Sequence, residues 1–439
     1  MKPKIAIHWF RRDLRTHDNT ALWHAVSGDL PVLPLFIYDK NILDKLPDEY
    51  DQRVWYIFHL LVWMRRKFFE NNTNILIKYG TPIDVWKEVL EEYDVGAVYV
   101  NRDYEPYAQQ RDRQIYELLT SKGIPFKGYK DHVIFEKDEV LSGAGKPYTV
   151  FTPYSKTWKA LYAKNPPTIY GNAFELNNFL PYSPFILPSM EMMGFKSKSY
   201  HFTETIFTDK AMQQYEIFRD FPFVKGTSRL GMNFRFGSVS IREMAHRGDA
   251  LSTKWLNELI WRDFYQMILY HFPHVVNRSF KPQYDAIEWR NDEKEFELWC
   301  NGMTGYPMVD AGMRELNATG FMHNRVRMIT ASFLTKHLLI DWRWGETYFA
   351  QKLIDYELAS NNGGWQWAAG CGCDAAPYFR IFNPMTQAKA YDPDMNYIKM
   401  WIPDVLKPTY PKPIVEHNFA RLRALATYKA ALDLFKEGG

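Results

Sequence analysis

The sequence predicts two domains, an α/β domain with a parallel sheet followed by an all-α domain. The chain has 439 residues, which is too long for one ordinary domain. Over about the first 130 residues short apolar runs alternate with helical stretches, whereas helical periodicity dominates from about residue 203 onward. We therefore expect an α/β domain over residues 1–130, an interdomain linker over 131–200 and a helical domain over 201–439.

The first domain is predicted from four short runs rich in β-branched residues: Lys4–Phe10, Pro31–Tyr38, Asn74–Lys78 and Gly96–Val100. The helical stretches Val54–Glu70 and Ile83–Tyr93 lie between them. Such alternation is typical of βαβ units on a Rossmann-like parallel sheet. No glycine fingerprint for a dinucleotide follows the first strand, so an ordinary nicotinamide enzyme is not supported.

The rest of the chain divides into an irregular part and a helical part. Proline-rich segments such as NPPTIYG and FLPYSPFILPSM predict a connector without regular structure between residues 131 and 200. Beyond it, Ser240 and Glu243 predict a capping box, and Trp255–Phe272 predicts a long helix. We expect Gly320 and Gly345 to separate further helices.

The composition excludes several classes of protein. No apolar run reaches the roughly 18–20 residues of a membrane span, and the N-terminus does not resemble a signal peptide. Three cysteines, Cys300, Cys371 and Cys373, cannot supply a four-thiolate cluster and do not suggest a disulfide framework. We therefore expect a cytoplasmic protein without a metal. The 15 Trp and 28 Tyr residues suggest stacking surfaces, or a large helical core.

One predicted helix carries polar and aromatic residues beside its apolar stripe. In WLNELIWRDFYQMILY the stripe consists of Leu256, Leu259, Ile260 and Phe264. The residues Glu258, Trp261, Arg262 and Tyr265 then lie on another face. This face is either a solvated Glu–Arg pair beside a surface tryptophan or a surface on which a planar ligand stacks.

Three further segments contain candidate binding residues. In GFMHNRVRMITASFL, Arg327 lies in line with apolar residues, so its guanidinium needs a carboxylate from elsewhere, and Asp355 is our candidate. The turn GTSRLG at 226–231 suits either a phosphate or a helix cap. The run Asn-Asn-Gly-Gly at 361–364 permits close approach of a ligand.

Together these segments resemble the photolyase–cryptochrome family over essentially the whole chain. The matching motifs are HWFRRDLRTHDN at 8–19, GTSRL, WLNELIWRDFY, TGYPMVDAGMRELNATGFMHNRVRMITASFL and the block at 357–387. The chain is most similar to class I photolyases for cyclobutane pyrimidine dimers.

The resemblance implies an FAD cofactor, bent and noncovalent, in the helical domain. The positions that match its phosphate and sugar contacts are Tyr215, Thr227, Ser228, Arg229, Leu230 and Trp255. Those that match the surroundings of the isoalloxazine ring are Arg327, Asp355, Glu357 and Asn361, with Asn361 near N5. The family usually has Asp where Glu357 stands, so the geometry of that contact is open.

The resemblance also implies light-driven splitting of a dimer that is flipped out of UV-damaged DNA by a monomeric enzyme. Glu258, in its protonated form, would donate to the pyrimidine carbonyls, with Asn324 and Met328 near the substrate. The positions that match DNA contacts or the dimer pocket are Arg219, Trp261, Arg262, Asn324, Arg325, Trp367 and Gln387. An electron chain from the surface to oxidised flavin is expected through Trp299, Trp342 and Trp365.

Two choices stay open within the family. A second, antenna chromophore of the deazaflavin or flavin type could contact Asp39, Asp103 and Glu105, or its pocket could be empty; Ala108 disfavours a folate. A blue-light photoreceptor of the cryptochrome type and a (6-4) photolyase are the alternative functions. The motif MHNRVRM does not reproduce the histidine pair of (6-4) photolyases, and Asn361 differs from the Asp of plant cryptochromes.

Overall fold

The computed structural model describes residues 2–198, 200 and 207–437, and its chain divides into two compact units. The first unit comprises residues 1–139, 159–205 and 230–250, and the second comprises residues 140–158, 206–229 and 251–439. No helix among the described residues is both long enough and apolar enough to span a bilayer.

The first unit contains a parallel sheet of five strands in the order β3-β2-β1-β4-β5. The strands are β1 Lys4–Phe10, β2 Val32–Asp39, β3 Leu76–Gly80, β4 Asp94–Asn101 and β5 Phe126–Tyr129. All of β2 and nearly all of β1 is buried, as expected for central strands covered on both faces. The predicted α/β class is confirmed. Sequence analysis missed β5, which is only four residues long and contains Lys127 and Gly128.

Nineteen α-helices are described. They are α1 Thr20–Val26, α2 Lys40–Leu43, α3 Gln52–Glu70, α4 Pro82–Glu92, α5 Pro106–Thr120, α6 Phe151–Lys164, α7 Asp209–Gln213, α8 Tyr215–Phe218, α9 Gly231–Phe236, α10 Ile241–Leu251, α11 Thr253–His271, α12 Glu293–Cys300, α13 Pro307–Thr319, α14 Asn324–Ser332, α15 Trp342–Lys352, α16 Leu358–Ala369, α17 Pro384–Tyr391, α18 Asn396–Trp401 and α19 His417–Glu437. The second unit is helical, which confirms the predicted all-α part.

Helix α6 lies inside the segment that was predicted to be irregular, so that prediction is wrong for this stretch. Tyr154 and Trp158 are four residues apart and fully buried, and the Trp158 Nε1 donates to Asp263 Oδ2 at 2.9 Å. Burial of these two aromatic rings on one face explains a helix in a proline-rich neighbourhood.

The predicted capping box is only half formed, and one of the two predicted helix ends lies inside a helix. The Ser240 Oγ accepts from the Glu243 backbone N–H at 3.1 Å, but the Glu243 carboxylate pairs with His17 at 2.7 Å. Gly320 ends α13 in the left-handed conformation, at φ 69°. Gly345, however, lies inside α15, where a Cβ atom would come within 2.1 Å of the Trp365 ring. Close helix packing, not a helix end, requires this glycine.

The first unit encloses a buried ion-pair network centred on Asp131. The Asp131 carboxylate accepts from Arg15 Nη2 and from Arg242 Nη2, each at 2.8 Å, and these side chains are at most 8% exposed. Arg242 Nε also donates to Asp18 Oδ2 at 2.9 Å. Burial would raise the pKa of Asp131, but the two guanidiniums outweigh it and hold the pKa well below the usual range.

We predict that Asp131→Asn lowers the free energy of unfolding by about 3–5 kcal/mol, because two buried guanidiniums lose their countercharge. Chemical denaturation of both proteins measures this change. The exposed pair partner Glu70 gives a matched control, since Glu70→Gln should change stability by no more than about 0.5 kcal/mol.

The stabilising contribution of Asp131 should also depend on pH. Because its folded-state pKa is lowered, this contribution is present above the unfolded pKa of about 4 and is lost as the pH falls below it. Equal stability losses for Asp131→Asn and Glu70→Gln at neutral pH would contradict the assignment.

Candidate active site

Two ion pairs fix the turn that leads into α16. The Arg327 Nη2 on α14 donates to both Asp355 oxygens, at 3.1 and 2.8 Å, which confirms Asp355 as the predicted partner of Arg327. The Arg262 Nη2 on α11 donates to Glu357 Oε1 at 2.8 Å. Ion pairs from α11 and from α14 therefore fix the residues just before helix α16.

Asn361 is oriented by an acid that sequence analysis missed. Its Nδ2 donates to the Glu346 carbonyl at 3.1 Å and to Glu346 Oε1 at 2.8 Å, across from α15. Burial raises the pKa of Glu346, and the bond from Asn361 opposes that rise. With its amino group engaged, Asn361 can present its side-chain carbonyl as an acceptor to a ligand N–H.

The residues around α16 fit a flavin nucleotide on structural grounds. A Cβ atom added at Gly364, which is exposed, would meet nothing within 4 Å, so the open cradle beside the helix there faces solvent. On α11, the Oδ1 atom of Asn257 is buried and has no hydrogen-bond partner among the described residues. An open cradle, an unsatisfied acceptor and the Arg327–Asp355 pair together provide space and polar groups for a planar, hydrogen-bonding ligand.

The predicted phosphate-side residues occupy α8, the following turn and the start of α11. Tyr215 and Trp255 are buried, with 8% and 2% exposure. Thr227 and Ser228 are half-buried, and Arg229 is exposed with a left-handed backbone at φ 50°. Leu230 is buried and belongs to the first unit. Assignment of these residues to the cofactor stays a prediction.

Comparisons with known proteins agree with this geometry. The family model described as DNA photolyase matches residues 6–170, and the one described as FAD binding domain of DNA photolyase matches residues 255–409. A deoxyribodipyrimidine photo-lyase of Synechococcus sp. is 36% identical, with 97% of both chains covered. The chain belongs to the DNA photolyase family.

Solved structures give the same result. A bacterial class III photolyase from Agrobacterium tumefaciens matches with a TM-score of 0.83 and 32% identity, over 98% of both chains. An archaeal photolyase from Sulfolobus tokodaii with two FAD molecules matches with a TM-score of 0.84 and 31% identity, over 97% of this chain and 99% of that one. FAD is therefore the cofactor of this photolyase.

Glu258 of the photolyase lies half-buried on α11. Burial raises the pKa of Glu258, while the Arg219 guanidinium opposes the rise. The Arg219 Nη1 donates directly to Glu258 Oε1. Glu258 and Arg262, which lie on the same helix, each have a partner on another segment: Glu258 pairs with Arg219, and Arg262 pairs with Glu357.

Trp261 and Trp367 are both half-buried, as a receiving pocket for a flat ligand requires. One face of Trp261 is already covered by Phe151, whose ring is parallel to it at 3.6 Å. Only the other face is available for stacking. Trp367 borders an open cavity that Tyr265 also lines, and the ring centroids of Tyr265 and Trp261 are 5.5 Å apart.

The arginines that were predicted to contact DNA are all paired with carboxylates. Arg262 is only 10% exposed and pairs with Glu357, so a direct contact to a surface phosphate is contradicted by its burial. Arg219 and Arg325 are each 17% exposed, and Arg325 pairs with Asp220 at 2.9 Å. These two arginines can still reach a phosphate if it displaces their partners.

The remaining substrate-side residues differ in exposure. Asn324 is exposed at the start of α14, and its Nδ2 lies 4.0 Å from the Sδ of half-buried Met328. Gln387 is half-buried, and its Oε1 has no partner among the described residues. His323, which directly precedes Asn324, is buried. Burial lowers the pKa of His323 to about 4, so it is neutral at physiological pH.

The structure contradicts one part of the predicted electron chain. Trp365, Trp342 and Trp299 are all buried, and the ring centroids of Trp365 and Trp299 are 6.1 Å apart. Trp299 has 0% exposure, however, so it cannot be the end of the chain at the protein surface.

A better surface end was missed in the sequence. Trp289 is half-buried, and the adjacent backbone N–H of Arg290 donates to Leu339 O at 2.8 Å. Asn291 Oδ1 accepts from the backbone N–H of Asp341, which precedes Trp342, at 2.8 Å. The polar neighbours Glu288, Arg290 and Asn291 were the available signal, because charged surroundings in sequence indicate partial exposure.

The predicted antenna contacts are already engaged in the first unit. Arg12 Nη1 donates to Asp103 at 3.2 Å and to Glu105 at 2.9 Å, and Arg235 donates to Glu105 at 3.1 Å. Asp39 accepts from the Tyr107 hydroxyl at 2.5 Å. Direct contact of Asp103 and Glu105 with a second chromophore would therefore require these ion pairs to rearrange.

The three cysteines form no disulfide bond. Cys300, Cys371 and Cys373 are free thiols, and no cluster of metal-ligating side chains occurs within the described part of the chain.

We predict that Gly364→Leu yields a folded but nearly colourless photolyase, because the leucine fills the open cradle beside Asn361. The visible absorbance of the purified protein measures bound FAD, and circular dichroism reports folding. Gly143→Leu is the matched control, since Gly143 also faces open space but lies outside the site. Stoichiometric FAD in Gly364→Leu would place the cofactor elsewhere.

Proposed function

We propose that this photolyase is a deoxyribodipyrimidine photo-lyase that splits cyclobutane pyrimidine dimers in UV-damaged DNA. The observation that carries the proposal is a half-buried acid, Glu258, with a raised pKa, one helical turn from the open face of Trp261. A carboxyl that can be protonated next to an aromatic wall suits a flat substrate whose carbonyls gain negative charge.

Each residue of the site then has a defined task. When bound, reduced FAD supplies the electron that opens the cyclobutane ring under blue light. Asn361, oriented by Glu346, accepts a hydrogen bond from the flavin ring, and the Arg327–Asp355 pair borders that ring. Glu258 donates its proton in a hydrogen bond to the pyrimidine carbonyls, and Met328 fills space beside them.

The substrate must leave the DNA stack to reach this site. A dimer inside a duplex cannot reach a half-buried carboxyl, so we infer that it is flipped into the pocket between Trp261 and Trp367. Unpairing costs least at a damaged base step, which favours dimers over intact DNA. A monomeric enzyme in a reducing cytoplasm accords with this proposal, and the three free thiols support it.

We further propose that electrons from solvent enter through Trp289 and pass by Trp342 to Trp365. Trp289 combines partial exposure with a backbone held against the residues that start α15. Trp299 is a buried neighbour of Trp365 and supports its ring by packing.

Repair is tested by illuminating the reduced protein with dimer-containing DNA and measuring recovered monomers, with a dark sample as control. We predict that Glu258→Ala lowers the repair yield several-fold, whereas Glu258→Gln keeps most of it because its amide N–H still donates. Equal losses in the two variants would contradict the hydrogen-bond role. A wild-type protein without light-dependent repair would contradict the proposed function and favour a photoreceptor.

We predict that Trp289→Phe slows photoreduction of the oxidised flavin at least tenfold, because phenylalanine does not readily lose an electron. Trp299→Phe is the matched control and should retain most of the rate. Transient absorption of the purified proteins with an external reductant measures both. If photoreduction were instead slowed in Trp299→Phe and not in Trp289→Phe, Trp299 would belong to the electron chain.

A further inference from the structure

Four charged side chains form one continuous network around the proposed substrate carboxyl. The Arg219 Nη1 donates to Glu258, and the Arg219 Nε lies 3.8 Å from Asp220 Oδ1. Asp220 in turn accepts from Arg325 Nη2 at 2.9 Å. Two carboxylates thus alternate with two guanidiniums, and their formal charges cancel. We call these four residues the charge network.

The charge network is ordered, yet a ligand from solvent can reach it. The guanidinium of Arg219 lies 5.2 Å from the centroid of the Tyr215 ring, and that of Arg325 lies 4.3 Å from the centroid of Tyr391. The Glu258 and Asp220 side chains are 34% and 36% exposed. Aromatic contacts therefore hold the arginines in position while their carboxylate partners remain accessible.

A DNA phosphate changes the charge balance of this network. Arginine binds phosphate through geometry similar to that of carboxylate, so a phosphate competes directly for Arg219. Once Arg219 leaves, Glu258 is a partly desolvated carboxylate without its countercharge, and the bound phosphate adds a further negative charge. Uptake of one proton restores the balance.

We propose that binding of dimer DNA transfers Arg219 from Glu258 to a phosphate, and that Glu258 takes up one proton from solvent in the same step. This inference rests on the proposed repair function. An O–H bond forms on the Glu258 carboxyl, the proton comes from water or buffer, and no electron moves. Binding itself thus converts Glu258 into the donor that the dimer carbonyls need. Asp220 is a positioning residue, because it retains Arg219 and Arg325 near the site.

Other charged groups that face Glu258 do not replace Arg219. Lys254, on the same helix, is 44% exposed and lies 3.9 Å from Glu216. Burial raises the pKa of Tyr215, so its hydroxyl stays neutral. Helix α16, which also packs on α11, contains no charged residue, and the short helix after α11 contributes only His274. Departure of Arg219 therefore leaves the pKa-raising effect of burial on Glu258 opposed by Lys254, which is one helical turn away and 44% exposed.

Calorimetry of the FAD-loaded protein in the dark measures the proton directly. Duplex DNA with one thymine dimer is titrated in PIPES and in Tris buffer at the same pH, and the undamaged duplex provides the background. We expect uptake approaching one proton in the wild type and in the control Lys254→Gln, and none in Glu258→Gln. Because the pKa of Glu258 is higher in the complex, affinity should rise as pH falls, by at most about tenfold per pH unit.

Two further readouts separate this proposal from a merely structural role. Infrared difference spectra should show a protonated carboxyl band on binding that is absent in Glu258→Gln. In Arg219→Gln, Glu258 lacks its countercharge in the free protein, which favours the protonated carboxyl before DNA binds, so proton uptake should shrink even though DNA binds more weakly. Uptake of a full proton when Arg219→Gln binds DNA would overturn the proposed transfer of Arg219 from Glu258 to the phosphate.

The two proposals fail in distinguishable ways. A wild-type protein that binds and repairs dimer DNA without taking up a proton would overturn the exchange and leave the repair function intact. A protein that shows neither preference for dimer DNA nor light-dependent repair would overturn both.

Discussion

The two ion pairs on either side of the turn before α16 are the constraint on which the site depends. Arg327 with Asp355, and Arg262 with Glu357, connect this turn to α14 and α11. The Arg262–Glu357 pair is the more buried of the two, and removing one partner of a buried pair costs about 3–5 kcal/mol. Every functional side chain on α16 takes its direction from this anchoring.

The Arg262–Glu357 pair also explains why this chain has Glu at position 357, where the family usually has Asp. The longer side chain of Glu357 places one oxygen 2.8 Å from Arg262 on α11, and the other accepts from the Ser360 hydroxyl at 2.9 Å. The extra methylene thus extends the carboxylate toward a neighbouring helix. A glutamate at this position acts as a structural anchor of the site.

Local patterns predicted much of the fold and part of the site. Strand β1 was predicted residue for residue, and the alignment of Arg327 with apolar residues was enough to predict a carboxylate partner. The partners of Arg219 and Arg262 could not be predicted, because they lie 39 and 95 residues away and are chosen by packing. Exposure was only partly visible in the sequence: polar neighbours indicate the partial exposure of Trp289, whereas the surrounding core buries Trp299.

The two sides of helix α16 face different environments: a dry one that suits electron transfer and an open one that suits substrate binding. Successive helical residues are about 100° apart, so Asn361 and Trp365 share one side, while Trp367 points to the opposite side. Trp365 is 2% exposed and packs against the rings of Trp299 and Phe349, which makes this side of the helix a dry path for an electron. Trp367 faces the open cavity, and the charge network adjoins α11. Because the dry path does not cross that network, displacement of Arg219 by a phosphate leaves the route of electron supply unchanged.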